Sequence, residues 1–433
     1  MIANLGTDIE APADAEIIDA ADYIVCAGLI DTHRHLWQTL YKGLVYDLGI
    51  HEIFATVYGA YSMRFTAQDI YAGTLLGRLT ALDAGITTVL DWAHNVTTLD
   101  MEDAGIQALK DAGGRSIFGH GYRGDRTVPS ELHRFHDVPR THEGAKRTRD
   151  ALPDDDALVS SCFLAIEPPW LISLDACKKE LEVARSLGMR TSMHVISFDE
   201  NFQIVPSIKY MHEAGMLGED LTFVHLTNAT DDEFKIMKDA GVTASLCPQV
   251  DSHIFAPPPT GRLLMAGIRP SLSLDTAACG SEDYFSQMRS VFDVERTIAR
   301  ANFQSRPEGY DLTISDVFDF ATVQGADAIG QGHRLGSITV GKQADILFVN
   351  TKSPNMMPVL DPLASLVFHA NVSDIDTGLV AGNPVKRNGM LLADVDKLRE
   401  QVEESVERLY WKPEEELPEW AYKPHPAARP FCC

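Results

Sequence analysis

The chain has 433 residues, 45% hydrophobic and 23% charged, the balance of a compact globular protein rather than a disordered one. Its formal charge is −25 and it has no dense Lys/Arg cluster, so repulsion disfavours nucleic acid and anionic membranes as partners and leaves a small molecule. No apolar run reaches the ~18 residues that span a bilayer, the first residues lack a signal peptide's basic and apolar regions, and seven scattered cysteines read as reduced thiols, which together point to the cytoplasm.

Residues 15–19 and 23–26 alternate as strands. The apolar run from Gly28 then ends in His33 and His35, which strand alternation puts on one face while Arg34 points elsewhere, a candidate pair of metal ligands. A helix over 66–84 closes on Gly85 and leads to a strand over 86–93; a helix over 103–112 leads to a strand over 115–122. The polar interval 124–156 reads as a long loop with a helix, and strand character returns over 157–166. Four cleaner rounds follow: helices over 174–187, 205–214, 231–240 and 261–266 alternate with strands over 189–195, 221–226, 242–247 and 269–275. A last helix covers 284–302.

Eight strands with helical partners predict an α/β fold, a closed (β/α)8 TIM barrel over residues 27–330 whose active site lies at the C-terminal strand ends. The alternative, a doubly wound open sheet, would offer a Gly-rich phosphate loop after its first strand, and that place holds His33 and His35. Beyond the barrel, 336–350 and 377–389 read as turn-rich strand pairs. They predict a small β-sandwich built from residues 1–26 and 331–395, with 396–433 as a C-terminal helix and tail in which Cys432 and Cys433 carry no assigned function.

Four predicted strands end in chemistry-bearing side chains: His33 and His35 on the first, His194 on the fifth, His225 on the sixth and Asp275 on the eighth. Alone, each histidine fits a hydrogen-bonded core residue and Asp275 a helix cap. At strand ends of one barrel, separated by whole βα units, they fit a metal site better. Imidazoles with one carboxylate suit zinc or a similar first-row ion and leave a position open for water. Asp275 could accept the water's proton and pass it to the leaving group, while His225 orients the attacked group. Glu167 could bridge a second ion, but a Glu before two prolines reads as a loop residue, so one metal is expected. Trp37, Gln38, Trp92, His94 and His253 lie at or past strand ends as candidate substrate contacts, as does His120, and the Pro-rich run 256–261 reads as a stiff active-site loop.

The motifs Gly28-Leu-Ile-Asp-Thr-His-Arg-His35, Met193-His194, Val224-His225-Leu226, Leu274-Asp275 and Gly336-Ser-Ile-Thr-Val-Gly-Lys-Gln-Ala-Asp345 resemble the amidohydrolase superfamily, closest to its cytosine deaminase and atrazine chlorohydrolase-like branch. The resemblance implies one divalent ion, zinc first and iron as the alternative, bound by His33, His35, His194 and Asp275, with His225 facing the bound water. A homo-oligomer, dimer or tetramer, is expected. The chain departs from the branch at Ser197, three residues after His194, where its deaminases carry a Glu that protonates the ring nitrogen. Either Asp199 or Glu200 reaches in, or the substrate needs no ring protonation; Ser197 itself joins the candidate substrate contacts. Only 32 residues precede His33, fewer than the family's sandwich uses, so its first strands are expected to lie outside this sequence.

The expected function is hydrolysis of a C–N bond, by deamination or by amide or cyclic amidine hydrolysis, in a small nitrogen-heterocyclic substrate. The alternatives are removal of another leaving group such as halide, and a catalytically silent barrel acting as a binding or scaffold protein.

Overall fold

The computed structural model describes residues 1–7, 9–58, 60–121, 141–199, 201–300 and 312–411. After β1 (Tyr23–Ala27), eight strands form one parallel sheet in chain order: β2 (Leu29–Arg34), β3 (Ile86–Asp91), β4 (Arg115–His120), β5 (Val159–Ile166), β6 (Thr191–Val195), β7 (Leu221–His225), β8 (Thr243–Leu246) and β9 (Ser271–Leu272). The first and last of these meet at a seam where Arg34 bridges Asp275, the His35 amide donates to the Asp275 carbonyl at 2.7 Å, and the Asp275 amide donates to the His33 carbonyl at 3.0 Å. The closed barrel is therefore as expected, and its seam lies at the suspected ligands.

Strands β2 to β5 are buried along their whole length, as strands of a parallel sheet are when helices cover it. Helices Ala67–Asp83, Leu99–Ala112, Leu174–Ser186, Ser207–Glu213, Asp231–Asp239, Thr260–Met265 and Tyr284–Arg300 supply that cover. Leu99–Ala112 starts ahead of the expected position 103 because the Thr98 hydroxyl accepts the Met101 amide and caps it there. Gly85 turns the chain from the first of these helices into β3 with φ +79°; a Cβ there would sit 2.8 Å from both Ile375 and Leu347, so only glycine satisfies turn and packing together.

The other β-unit is a five-stranded antiparallel sheet in the order β1, β10 (Ile346–Asn350), β11 (Ile375–Val380), β12 (Asn383–Arg387) and β13 (Met390–Leu391). The start and end of the chain thus share a sheet, Tyr23 pairing with Asn350. Two expected strands are absent: residues 15–19 are exposed, with no face to bury, and residues 336–345 form turns through Gly336 and Gly341, which take φ of 86° and 90°. The second of these turns instead holds Ile2, whose amide donates to the Lys342 carbonyl. Helix Val395–Val406 packs Leu398 against Leu75 and Leu79. No described helix is long and apolar enough to cross a membrane. Residues 122–140, Glu200 and the expected tail with Cys432 and Cys433 lie outside the described residues.

Candidate metal centre and active site

His33 is the penultimate residue of β2 and His35 follows its end; the β2–β3 ladder is irregular between Asp31 and Arg34, and the two imidazole centroids come within 4.8 Å. Arg34 turns away to pair with Glu282 at 2.5 Å. His194, near the end of β6, brings its Nε2 to 3.1 Å from that of His33. Asp275, just past β9, places Oδ1 3.5 Å from His33 Nε2 and 3.1 Å from His35 Nε2. His225 ends β7 and its ring lies 5.3 Å from that of His194.

Neighbours orient these rings. His35 Nδ1 lies 3.1 Å from the Trp92 carbonyl oxygen, leaving Nε2 toward Asp275. The Trp92 ring packs on His194 at 3.8 Å and donates its indole N–H to Ser192. His225 Nδ1 bonds Asp251 Oδ1 at 2.7 Å, and the other Asp251 oxygen accepts the Cys247 amide at 2.9 Å.

Burial pushes the His33 imidazole down to about 3 against the pull of Asp275, and burial with the neighbouring His33 holds His194 well below its usual range. Burial opposes the charged form of His225 too, but the Asp251 carboxylate outweighs it and raises that imidazole. Burial would raise Asp275, yet hydrogen bonds from His33 and His35 keep it well below the usual carboxylate range. The Nε2 atoms of His33 and His194, facing each other uncharged at 3.1 Å, and that of His35, which like His33 faces the ionised Asp275 carboxylate, form a donor set that a divalent cation would complete.

The centre opens onto a cleft lined by His35, His194, His225 and Asp275 together with Gln38, Phe54, Tyr58, Trp170, Ile196 and Phe255. A larger cleft lies at the opposite end, where β5, β6 and β7 begin. Both clusters of metal-ligating side chains among the described residues belong to the first cleft's end of the barrel.

A family model described as the amidohydrolase family matches residues 24–385. The chain belongs to the amidohydrolase family. Among its relatives, a 5'-deoxyadenosine deaminase of Methanothermobacter thermautotrophicus is 27% identical over 88% of this chain and 86% of that protein. A 5-methylthioadenosine/S-adenosylhomocysteine deaminase of Desulforudis audaxviator is 26% identical over 91% and 89%. In fold, this amidohydrolase resembles a zinc-bound adenosine deaminase from Xanthomonas campestris, with TM-score 0.76 and 22% identity over 90% and 86% of the two chains. It also resembles an atrazine chlorohydrolase from Arthrobacter aurescens complexed with zinc, with TM-score 0.79 and 20% identity over 93% and 92%.

Of the residues expected at the site, the amidohydrolase brings together His33, His35, His194, His225 and Asp275, and Gln38 lines the cleft while bonding the Tyr58 hydroxyl at 2.9 Å. Trp37, Trp92, His94, Ser197 and His253 are not among its lining residues. Trp37 is buried against Tyr41 and Phe65, Trp92 lies against His194, and His94 bonds Tyr58 at 3.2 Å. Ser197 is buried with a left-handed backbone, φ 61°, and Ile196 takes the cleft wall instead. His120 bonds Thr148, which donates to the buried Glu102.

Glu167 spends Oε1 on the amides of Ile196 and Ser197, both at 2.7 Å, and joins neither ligand cluster. Burial pushes its carboxyl up to about 8. After Cys247 the chain forms the short helix Pro248–Val250 and one wide turn, Asp251–Phe255, which delivers Asp251 to His225 and Phe255 to the cleft ahead of the Pro-rich run. Asp251, Tyr58 and Cys247 are the neighbours of the centre that sequence reasoning missed; for Asp251 a signal existed, a carboxylate one helical turn past the end of a barrel strand.

Proposed function

We propose that this amidohydrolase is a zinc-dependent hydrolase that cleaves a C–N bond of a small, planar nitrogen heterocycle. One observation carries the reading: three imidazoles from two strand ends and the Asp275 carboxylate converge on an aromatic-walled cleft. His33, His35, His194 and Asp275 would hold the ion, and the deaminases among its relatives support hydrolytic C–N chemistry. A divalent ion held there supplies Lewis-acid activation of water near neutral pH.

The chain's own residues do the rest. Asp275 is held ionised, so one of its oxygens takes the proton of the attacking water and returns it to the leaving group. His225, fixed through Nδ1 by Asp251, keeps Nε2 for the substituent at the attacked carbon. Phe54, Tyr58, Trp170 and Phe255 present rings that suit a planar substrate, with Gln38 as a polar contact. A second reading, removal of halide or another group that departs without ring protonation, is favoured by Ser197, which occupies the sequence position of the branch's acid with a side chain that is buried and outside the cleft lining.

Zinc-loaded protein is to be screened against adenosine-type nucleosides, other heterocyclic amines, cyclic amides and halogenated heterocycles, with ammonia and halide release measured separately. Ammonia release supports the first reading and halide release alone the second. Asp275→Asn should lower kcat by ~10³-fold with an unchanged circular dichroism spectrum. A purified protein that takes up only traces of metal, with a His33→Ala variant of unaltered Tm, would sink the hydrolase reading.

A further inference from the structure

The ligating atoms near the centre form two overlapping groups. In one, His33, His35 and His194 gather; in the other, His33, His225, Cys247 and Asp275 place one donor atom each within 4.8 Å of one another, and all four residues are buried. Asp275 Oδ1 also contacts the first group, at 3.1 Å from His35 Nε2, so His33 and Asp275 serve both. Cys247 follows β8 directly, and its Sγ lies 3.0 Å from the Ser273 hydroxyl, whose own proton goes to the Leu246 carbonyl, so in the metal-free chain the thiol is the donor of this contact. His225 is bound to Asp251 through Nδ1 and offers Nε2.

We propose that the centre has two mutually exclusive seats, and that Cys247 makes the second, His33–His225–Cys247–Asp275, the preferred seat of a thiophilic divalent cation such as cadmium. This rests on the reading of the first seat as the productive zinc site. Soft ions favour thiolate, whereas imidazoles and carboxylate suffice for zinc. As the S–metal bond forms, the Cys247 S–H proton leaves to solvent, one proton for each ion bound. An ion so placed takes up His225, His33 and Asp275 together, so it blocks zinc and removes the group that would orient the substrate. Thiophilic ions would therefore act as competitive inhibitors of zinc at this centre.

The test is cadmium titration of the metal-free, full-length protein, followed by ultraviolet thiolate-to-metal charge transfer. The expected result is a band that saturates at one ion per chain, disappears in Cys247→Ser, and is accompanied by a ~30-fold loss of cadmium affinity with at most a ~3-fold loss for zinc. X-ray absorption of the cadmium-loaded wild type should show one sulfur neighbour, a measurement that does not depend on whether the serine variant folds. Stoichiometric cadmium without a sulfur neighbour, or a band that persists in Cys247→Ser, overturns the second seat while leaving the zinc centre standing. Failure of both metals to bind overturns both readings.

Discussion

Ser197, His225 and Asp275 follow or end barrel strands with φ of 61°, 76° and 62°, a region that costs an L-residue on the order of 1–3 kcal/mol. For His225 and Asp275 the curl delivers the side chain to the centre. For Ser197 it delivers a hydroxyl with no partner, while the amide is held by Glu167 at 2.7 Å. Ser197→Gly keeps that amide bond and removes both the Cβ and the orphan hydroxyl, so it should raise stability to denaturant by about 1 kcal/mol, and Ser197→Ala, which removes the hydroxyl but keeps the Cβ at positive φ, should raise it by less. A glycine variant less stable than the parent would show that the backbone there is unstrained. The five residues of the centre were legible in the sequence because strand periodicity fixes which residue ends a strand and the barrel fixes where strand ends meet. Asp251 and Tyr58 were not read, since turns set their approach and a single sequence carries no register for turns, and Cys247 was passed over although it ends a predicted strand, because a buried apolar strand end suits a core thiol equally well.

Elements differ in the same way. The eight barrel strands were legible because each is a short apolar run closed by a turn, next in space to its neighbour in sequence. The outer sheet was only half legible: that the start of the chain joins the C-terminal strands was expected and holds, β1 pairing with β10, but turns replace the strand expected just before β10. The two units share an apolar core through Leu347, Val349 and Ile375, and a buried ion pair fastens them as well. Arg115 at the start of β4 grips Asp345 through two bonds of 3.1 and 3.2 Å, and Asp345 also accepts the Ala381 amide. Asp345→Ala leaves the Arg115 guanidinium buried and unpaired, so unfolding in urea should show a loss of about 3–5 kcal/mol; a loss below ~1 kcal/mol would mean that the sheet docks by apolar contact alone.

At the end of β3, Asp91 accepts the Leu36 amide, and burial pushes its carboxyl from 3.8 up to about 7. The folded chain then holds a proton that the unfolded chain releases, so the stability from this group is complete below 3.8 and is lost as pH rises through about 7. Asp91→Asn keeps an acceptor for Leu36 and cannot titrate. Its urea stability should therefore fall less between pH 5 and pH 7.5 than the parent's; parallel pH profiles would show that Asp91 is already ionised in the folded state.

In the molecule as a whole, the centre is also a fastening of the barrel. The seam between β2 and β9 is held by few backbone bonds, among them the 2.7 and 3.0 Å pair that joins His33 and His35 to Asp275. An ion bound by those three residues spans the seam, and His194 ties it to β6 across the barrel. Metal binding should therefore stabilise the fold, by about 2.7 kcal/mol at a free concentration of 100 Kd, and chelation should lower Tm correspondingly. The loss has a place as well as a size: on chelation, amide hydrogen exchange should accelerate most in segments 29–36 and 271–276, which carry the seam, and least in β4 and β5 on the far side. Equal acceleration in all strands would mean that the metal steadies the protein without closing the barrel, and no change in Tm would mean that the barrel closes without help from the centre.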